Sequence, residues 1–263
     1  MIKPAHSTKR ITPQTKPQDL MGGFAKGLSV IEAFDAEHRE LSISDVSRIT
    51  GLDRATSRRC LLTLVERGLA TIAGKQFSLT AGILRLGYAY LAAMPLARLV
   101  QPYIEQLSTE TDESCSVCVL DGAEIVYVAR ASQRRVMSIG LSVGSRLPAY
   151  CASMGRVLLA SLPEAEARMI LSKEKRPKLT PHTKTSIAEL LRELAVVRAR
   201  GYAVVDQELE IGLRSIAIPL RGRSGVVGAL NVGAQAARVT VRQLREEMLP
   251  VMLRVASVLA AHL

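Results

Sequence analysis

The sequence predicts an α+β protein in two parts: an N-terminal winged helix-turn-helix, a linker helix, and a larger domain around a central, mostly antiparallel sheet. Three observations carry this. Two short helical patterns flank Gly51 and run into a hairpin. The stretch after them is apolar almost all round up to Pro95. Beyond Pro95, amphipathic helices alternate with strands joined by tight turns, the pattern of an α+β sheet domain.

In order, residues 1–21 are polar, basic and proline-bearing, and read as a flexible arm. The winged unit spans 22–80. A first helix starts near Phe24, with Leu28, Val30, Ile31 and Phe34 as its inner stripe. Ser44 to Thr50 forms the second, turning Val46 and Ile49 inward, and Gly51 stops it. Asp53 caps the third, Arg54 to Arg67, which Gly68 ends as a left-handed residue. A hairpin over 69–72 and 76–79 follows, with Lys75 at its tip. At 100° per residue, Ser57, Leu61, Leu64 and Val65 fall on one side of the third helix. Thr56, Arg59 and Thr63 fall opposite, Ala55 and Arg58 on the flanks, and Arg54 in the first turn. Arginines and hydroxyls with no acid between Asp53 and Glu66 suit phosphates and base edges in a DNA major groove better than a solvated face.

Residues 81–94 form the linker helix. Ile83, Leu84, Leu86, Tyr88, Tyr90 and Leu91 leave it little polar face, which predicts burial against a second protomer. The remaining 95–263 begin with a helix over 96–109. Strands follow at 115–120, 125–131 and 136–141, then a helix over 153–162 and another opened by Pro163. Ser186 to Glu189 reads as a capping box for a helix ending at Gly201. Strands at 202–205, 213–220 and 226–232 and a closing helix from Val241 to about Leu259 complete the domain.

The formal net charge of +11 favours polyanion partners without choosing one, since the excess is spread along the chain. No apolar run reaches the ~18 residues of a membrane span, and no signal peptide is evident. A cytoplasmic protein with reduced cysteines at 60, 115, 118 and 151 and no membrane partner is expected.

The order of these pieces resembles the IclR family of transcriptional regulators over roughly 22–263. The resemblance is carried by Gly27-Leu28-Ser29-Val30, the capped helix Leu52 to Leu64, and Phe77-Ser-Leu-Thr80 leading to Leu84-Arg-Leu-Gly87. In the second part it is carried by Gly144 to Pro148, Gly155 to Ala160, Gly201-Tyr-Ala203, Glu208-x-x-x-Gly212-Leu-Arg and Ala217-Ile-Pro219. Leu52 to Thr56, Arg58-Arg59 and Leu147 to Arg156 look like the Pca/Pob-type branch, which controls protocatechuate, 4-hydroxybenzoate and β-ketoadipate catabolism.

The resemblance implies a GAF-like second domain that binds a small organic-acid effector. It also implies a homodimer or tetramer on a double-stranded DNA operator. The branch implies activation ahead of repression, with RNA polymerase as a partner if the output is activation. By position, the effector loop and helix correspond to Leu147 through Met154, bringing in Ala149, Tyr150, Ser153 and Met154. Leu213, Ser215 and Asn231 follow on the strands, with Asp206 in the acidic stretch. Arg134 and Arg146 are carboxylate partners by charge only, and solvated arginines are the stronger reading.

No catalytic residues, cofactor or metal are expected. Cys115-x-x-Cys118 lacks a second pair, and residues three apart on a strand face opposite ways. Other readings are a regulator of another organic acid, a ligand-free DNA-binding scaffold, and a thiol redox enzyme, which would need an accessible thiol of lowered pKa.

Overall fold

The computed structural model describes residues 20–35, 37–93, 95–133 and 141–263. The N-terminal arm up to residue 19, residues 136–140 of the strand expected at 136–141 and Arg134 lie outside them, as do the side chains of Tyr90 and Leu91. The chain forms two compact units that divide between Tyr90 and Leu91.

The first unit holds α1 (Gly22–Glu32), α2 (Ile43–Thr50), α3 (Arg54–Glu66), β1 (Ala70–Ala73) and β2 (Gln76–Leu79). Its ends are fixed by short-range hydrogen bonds. The Ser42 hydroxyl accepts from Asp45 N, and the Asp45 carboxylate accepts from Ser42 N, closing a capping box on α2. Gly51 ends α2 at φ 71°, and Gly68 follows α3 at φ 69°. Leu69 N donates to Leu64 O beyond that glycine. Phe77 exchanges two backbone hydrogen bonds with Leu41, so the wing gains a third short contact. Val30, Val46, Leu61, Leu64 and Phe77 form the core. Two residues expected in it stand outside: Leu28 is 42% and Ile49 39% exposed. Val30 and Ile31, with Ala33 and Phe34 just after α1, fill the space beneath it, and Leu28 joins Phe24 among its exposed residues. A 3-10 turn (Ala81–Ile83) then leads into α4 (Leu84–Ala93).

The second unit is three-layered. Its sheet runs β5-β4-β3-β8-β7-β6, and every pairing is antiparallel. The strands are β3 (Ser114–Asp121), β4 (Glu124–Ala131), β5 (Arg146–Pro148), β6 (Ala203–Asp206), β7 (Leu213–Gly222) and β8 (Gly225–Gln235). One face is covered by α6 (Ser153–Ala160), α7 (Glu164–Lys173) and α8 (Ile187–Arg200). The other is covered by α5 (Pro95–Thr111) and the C-terminal helix. Pro95 thus starts a helix.

Ser186 does occupy the N-cap of α8, but its side chain makes no capping bond. The chain before it is held elsewhere, through Lys184 N on the Glu208 carboxylate. The closing helix, expected to be continuous, is α9 (Val241–Gln243), a π turn (Leu244–Met248) and α10 (Leu249–Ala260). Pro250 explains the widened turn. It has no N–H for the carbonyl four residues back, and its ring needs room there.

An irregularity in β4 re-aims its side chains. On β4 the register to β3 runs Val117 with Ala129 and then Cys118 with Tyr127, skipping Val128. Val128 and Ala129 therefore both pack on the α5 face, while Tyr127 packs on the α6 face. This β-bulge turns Arg130 towards the side that Tyr127 occupies.

Candidate nucleic-acid interface and ligand cavity

On α3, the Asp53 carboxylate accepts from Thr56 N at 2.8 Å and from the Thr56 hydroxyl at 2.7 Å. These bonds hold the Asp53 carboxyl below the usual carboxylate range, the Thr56 hydroxyl first among the causes. Arg54, Ala55, Arg58, Arg59 and Thr63 are exposed, as is Lys75 on the wing. Gly74, at φ 62°, makes the tight turn that projects Lys75. The outward placement of Thr56 is corrected. It is 7% exposed, and its hydroxyl is committed to the helix cap. An Asp-x-x-Thr spacing ahead of a helix is a capping signal, and it was present in the sequence. Thr63 is exposed, but its hydroxyl donates to Arg59 O. What remains outward is a cluster of guanidinium groups.

In the second unit, the α6 side of the sheet carries a cavity of about 100 Å³. That is the order of the ~150 Å³ cavity that holds benzene in an engineered protein. Its walls are strand residues of β3, β4, β7 and β8, the start of α6, and the 205–213 segment. Ser153, Met154, Leu213, Ser215 and Asn231 line it, the positions that the resemblance implies.

Three expected residues do not line it. Ala149 and Tyr150 border a separate concavity with Arg146, and the Tyr150 hydroxyl donates to Pro177 O at 2.6 Å. The cause is a tight crossing. A Cβ on Gly155 would stand 2.2 Å from Ala149 O, so α6 lies directly on this loop and turns its residues away. Asp206 is held by Arg214, its cross-strand partner, through bonds of 2.8 and 2.9 Å, and these lower its pKa. Arg146 is paired with Glu124 and Asp121 outside the cavity.

The residues missed are Ser116, Tyr127 and Arg130; Leu147 and Cys151, inside the expected loop, also line the cavity. Arg130 and Ser116 are register partners, and Arg130 Nη1 donates to Ser116 Oγ at 3.2 Å. Ser116 is in turn the register partner of Asn231. The sequence held no sign of Arg130's orientation, because β4 is apolar on both faces up to it and the bulge has no mark of its own.

Two features brace the walls. Ser215 donates to the Ser153 hydroxyl at 2.8 Å, joining β7 to α6. Arg156 forms a two-pronged pair with Glu208 at 2.6 and 2.5 Å, with the side chains 1% and 6% exposed. Arg156 Nε also donates to Tyr150 O. This pair accounts for the Gly155-Arg156 and Glu208 motifs: it ties the α6 wall to the segment after β6. Within the cavity, the Asn231 side-chain oxygen is buried and has no hydrogen-bond partner among the described residues.

Thiol chemistry has little foothold. Cys115 packs on the α5 face and Cys118 on the α6 face, so the two cannot share an ion. Burial pushes the Cys115 thiol up to about 12 and the Cys151 thiol to about 11, and raises Cys118 too. These thiols stay protonated near neutral pH.

A winged helix-turn-helix with a cationic reading helix, followed by a domain enclosing a small polar cavity, defines a DNA-binding transcriptional regulator with an effector-binding domain. The chain belongs to the IclR family of bacterial transcriptional regulators. The IclR helix-turn-helix domain matches residues 24–71, and the IclR C-terminal domain matches 88–260. Members of that family are transcriptional regulators, which are not enzymes. The chain is 44% identical over 251 residues to the Pca regulon regulatory protein of Pseudomonas putida, covering 95% of this chain and 86% of that one. It is 34% identical to the p-hydroxybenzoate hydroxylase transcriptional activator of Acinetobacter baylyi, covering 94% and 92%. A solved IclR homolog from Microbacterium hydrocarbonoxydans, complexed with 4-hydroxybenzoate, superposes with a TM-score of 0.78 at 25% identity, covering 91% and 98%. Among the described residues, no helix is long and apolar enough to cross a membrane.

Proposed function

We propose that this regulator controls genes of aromatic-acid catabolism, and that the cavity over β3, β7 and β8 is where its small organic-acid effector binds. The observation that carries the effector reading is the Asn231 side-chain oxygen, buried and without a partner among the described residues. A buried amide oxygen without a partner costs ~1–3 kcal/mol, which a bound donor recovers. Ser153, Ser215, Met154 and Leu213 supply polar and apolar walls around it. The similarity to the Pca regulon protein and the p-hydroxybenzoate hydroxylase activator supports the choice of genes. The name of the latter favours activation, with RNA polymerase as the contact.

The DNA is read by Arg54, Ala55, Arg58, Arg59 and Thr63 in a major groove, with Lys75 on a phosphate. The functional unit is a homodimer, or a tetramer of two dimers, on an operator with half-sites one turn or a multiple apart. Leu84 and Tyr88, one turn apart on α4, are each 70% exposed, and Leu86 on the other side is 58% exposed, apolar surface that a second copy would cover.

The test is a gel shift on the DNA between this gene and its neighbours, with and without 4-hydroxybenzoate, protocatechuate or β-ketoadipate. Retardation that one acid alters is expected. Retardation of no DNA from that region, or indifference to all three acids, overturns the reading.

A further inference from the structure

The cavity floor carries an ordered row of polar groups across three adjacent strands. Arg130 on β4 pairs in register with Ser116 on β3, and Ser116 pairs with Asn231 on β8. Neighbouring strands lie ~4.8 Å apart, so the row runs roughly 10 Å from guanidinium side to amide side. All three residues line the same cavity.

The two ends differ in what they lack. At one end, Arg130 donates to Ser116 Oγ and has no carboxylate partner among the described residues. The other arginines at this level are engaged: Arg214 with Asp206, Arg238 with Glu113, Arg156 with Glu208. A partly buried cation without a counter-ion, beside a hydroxyl, is an anion site built of a fork and a donor. At the other end, Asn231 is 8% exposed and its side-chain oxygen has no partner among the described residues. With the amide in this orientation that atom only accepts, so it calls for a hydrogen-bond donor and disfavours a second carboxylate.

We infer that the row reads both ends of its ligand: Arg130 with Ser116 holds a carboxylate, and the Asn231 oxygen accepts from a hydroxyl at the far end. The class selected is a hydroxylated one-ring acid, over the unhydroxylated acid and over a dicarboxylate. This rests on the cavity being the effector site. Arg130 sets affinity for the acid group, and Asn231 sets discrimination by the hydroxyl. An analogue without the hydroxyl leaves the buried oxygen unpaired, the situation in which binding sites discriminate most strongly.

Calorimetry on the full chain tests this with 4-hydroxybenzoate, benzoate and adipate. Wild type should bind 4-hydroxybenzoate about tenfold or more tighter than either other acid, the equivalent of at least one lost hydrogen bond. Asn231→Leu should bring 4-hydroxybenzoate and benzoate to about the same affinity while benzoate binding persists. Arg130→Met should lose both about tenfold or more, with Arg130→Lys recovering part of it. Melting curves of the unliganded variants check the fold, and the wild-type comparison needs no variant. If wild type binds an acid and Arg130→Met binds it equally well, the anchor is wrong and the effector reading survives. Equal wild-type affinity for 4-hydroxybenzoate and benzoate, or tighter binding of adipate, overturns the hydroxyl reading. If no acid on the panel binds, this inference falls, and the effector reading then stands or fails on the gel shift with β-ketoadipate.

Discussion

Among single residues, Arg59 and Lys75 separate two kinds of DNA contact. Arg59 is exposed on the reading helix, where a guanidinium can pair with a guanine edge, and Lys75 sits on a wing turn suited to phosphate. Arg59→Ala should cost ~1–3 kcal/mol on the operator and relax its sequence preference. Lys75→Ala should weaken all sequences alike and lower the salt slope by ~1. Gel shifts on operator and scrambled DNA at several salt concentrations separate the two; wild-type binding by Arg59→Ala removes the reading-helix assignment. Asp206 gives a pH test. Hydrogen bonding to Arg214 lowers its pKa in the fold. A lowered carboxylate contributes stability that is fully present above its unfolded value of ~3.9 and is lost as pH falls through the folded one. Asp206→Asn should therefore lower the melting temperature at neutral pH, and the gap to wild type should close on acidification. A gap that does not change with pH would leave the Asp206–Arg214 pair without a role in stability.

Elements show where packing leaves no slack and where it leaves surface. Gly155 sits against the Ala149 backbone, at distances no Cβ tolerates. Gly155→Ala must push α6 off the loop, moving Ser153 and Met154 together. Overpacking of this kind costs ~1–3 kcal/mol, and acid affinity should fall with it. Differential scanning calorimetry with and without ligand would detect both, and an unshifted melting point would contradict the close approach. The α4 helix shows the reverse case, with Leu84 and Leu86 facing out. Leu84→Glu with Leu86→Glu should convert the assembly to monomer at micromolar concentration. Operator affinity should drop steeply, because two linked half-site contacts become one. Sedimentation of the wild type as a stable monomer would refute the interface.

For the whole molecule, the question is how an acid in one unit changes DNA binding by the other. Any such effect is a difference in affinity between two states, and it works in both directions. If an acid changes operator affinity by a given factor within the ~5–150-fold range of 1–3 kcal/mol, operator DNA must change acid affinity by the same factor. Titrating the acid with and without saturating operator, beside operator titrations with and without acid, should give two factors that agree. An acid that binds with one affinity in both conditions is no effector, however tightly it sits. The braces on the cavity, Arg156–Glu208 and Ser215–Ser153, tie α6 to the 207–212 segment and to β7, so α6 cannot move without them.

The parts read correctly from the sequence are those governed by neighbours within a few residues. Gly51, Asp53 and Gly68 place the helix ends because caps and left-handed turns are closed by hydrogen bonds three to five residues apart. The exposed arginines of α3 follow from helical period, and the exposed apolar residues of α4 from its composition. Thr56 belongs to the same range: its cap to Asp53 was within reach of the spacing, although the helix wheel put it outside. The cavity was only half visible, because its composition depends on register and on contacts far along the chain. Asp206 went to Arg214 once β6 and β7 paired in this register. Ala149 and Tyr150 turned away once Gly155 brought α6 onto their loop. Arg130 entered once β4 took up one extra residue against β3. Helix ends, turns and faces are decided by local bonding, which residue type and spacing encode. The direction of a side chain beyond a bulge, and the partner of a charge on the next strand, are decided by packing of the whole sheet.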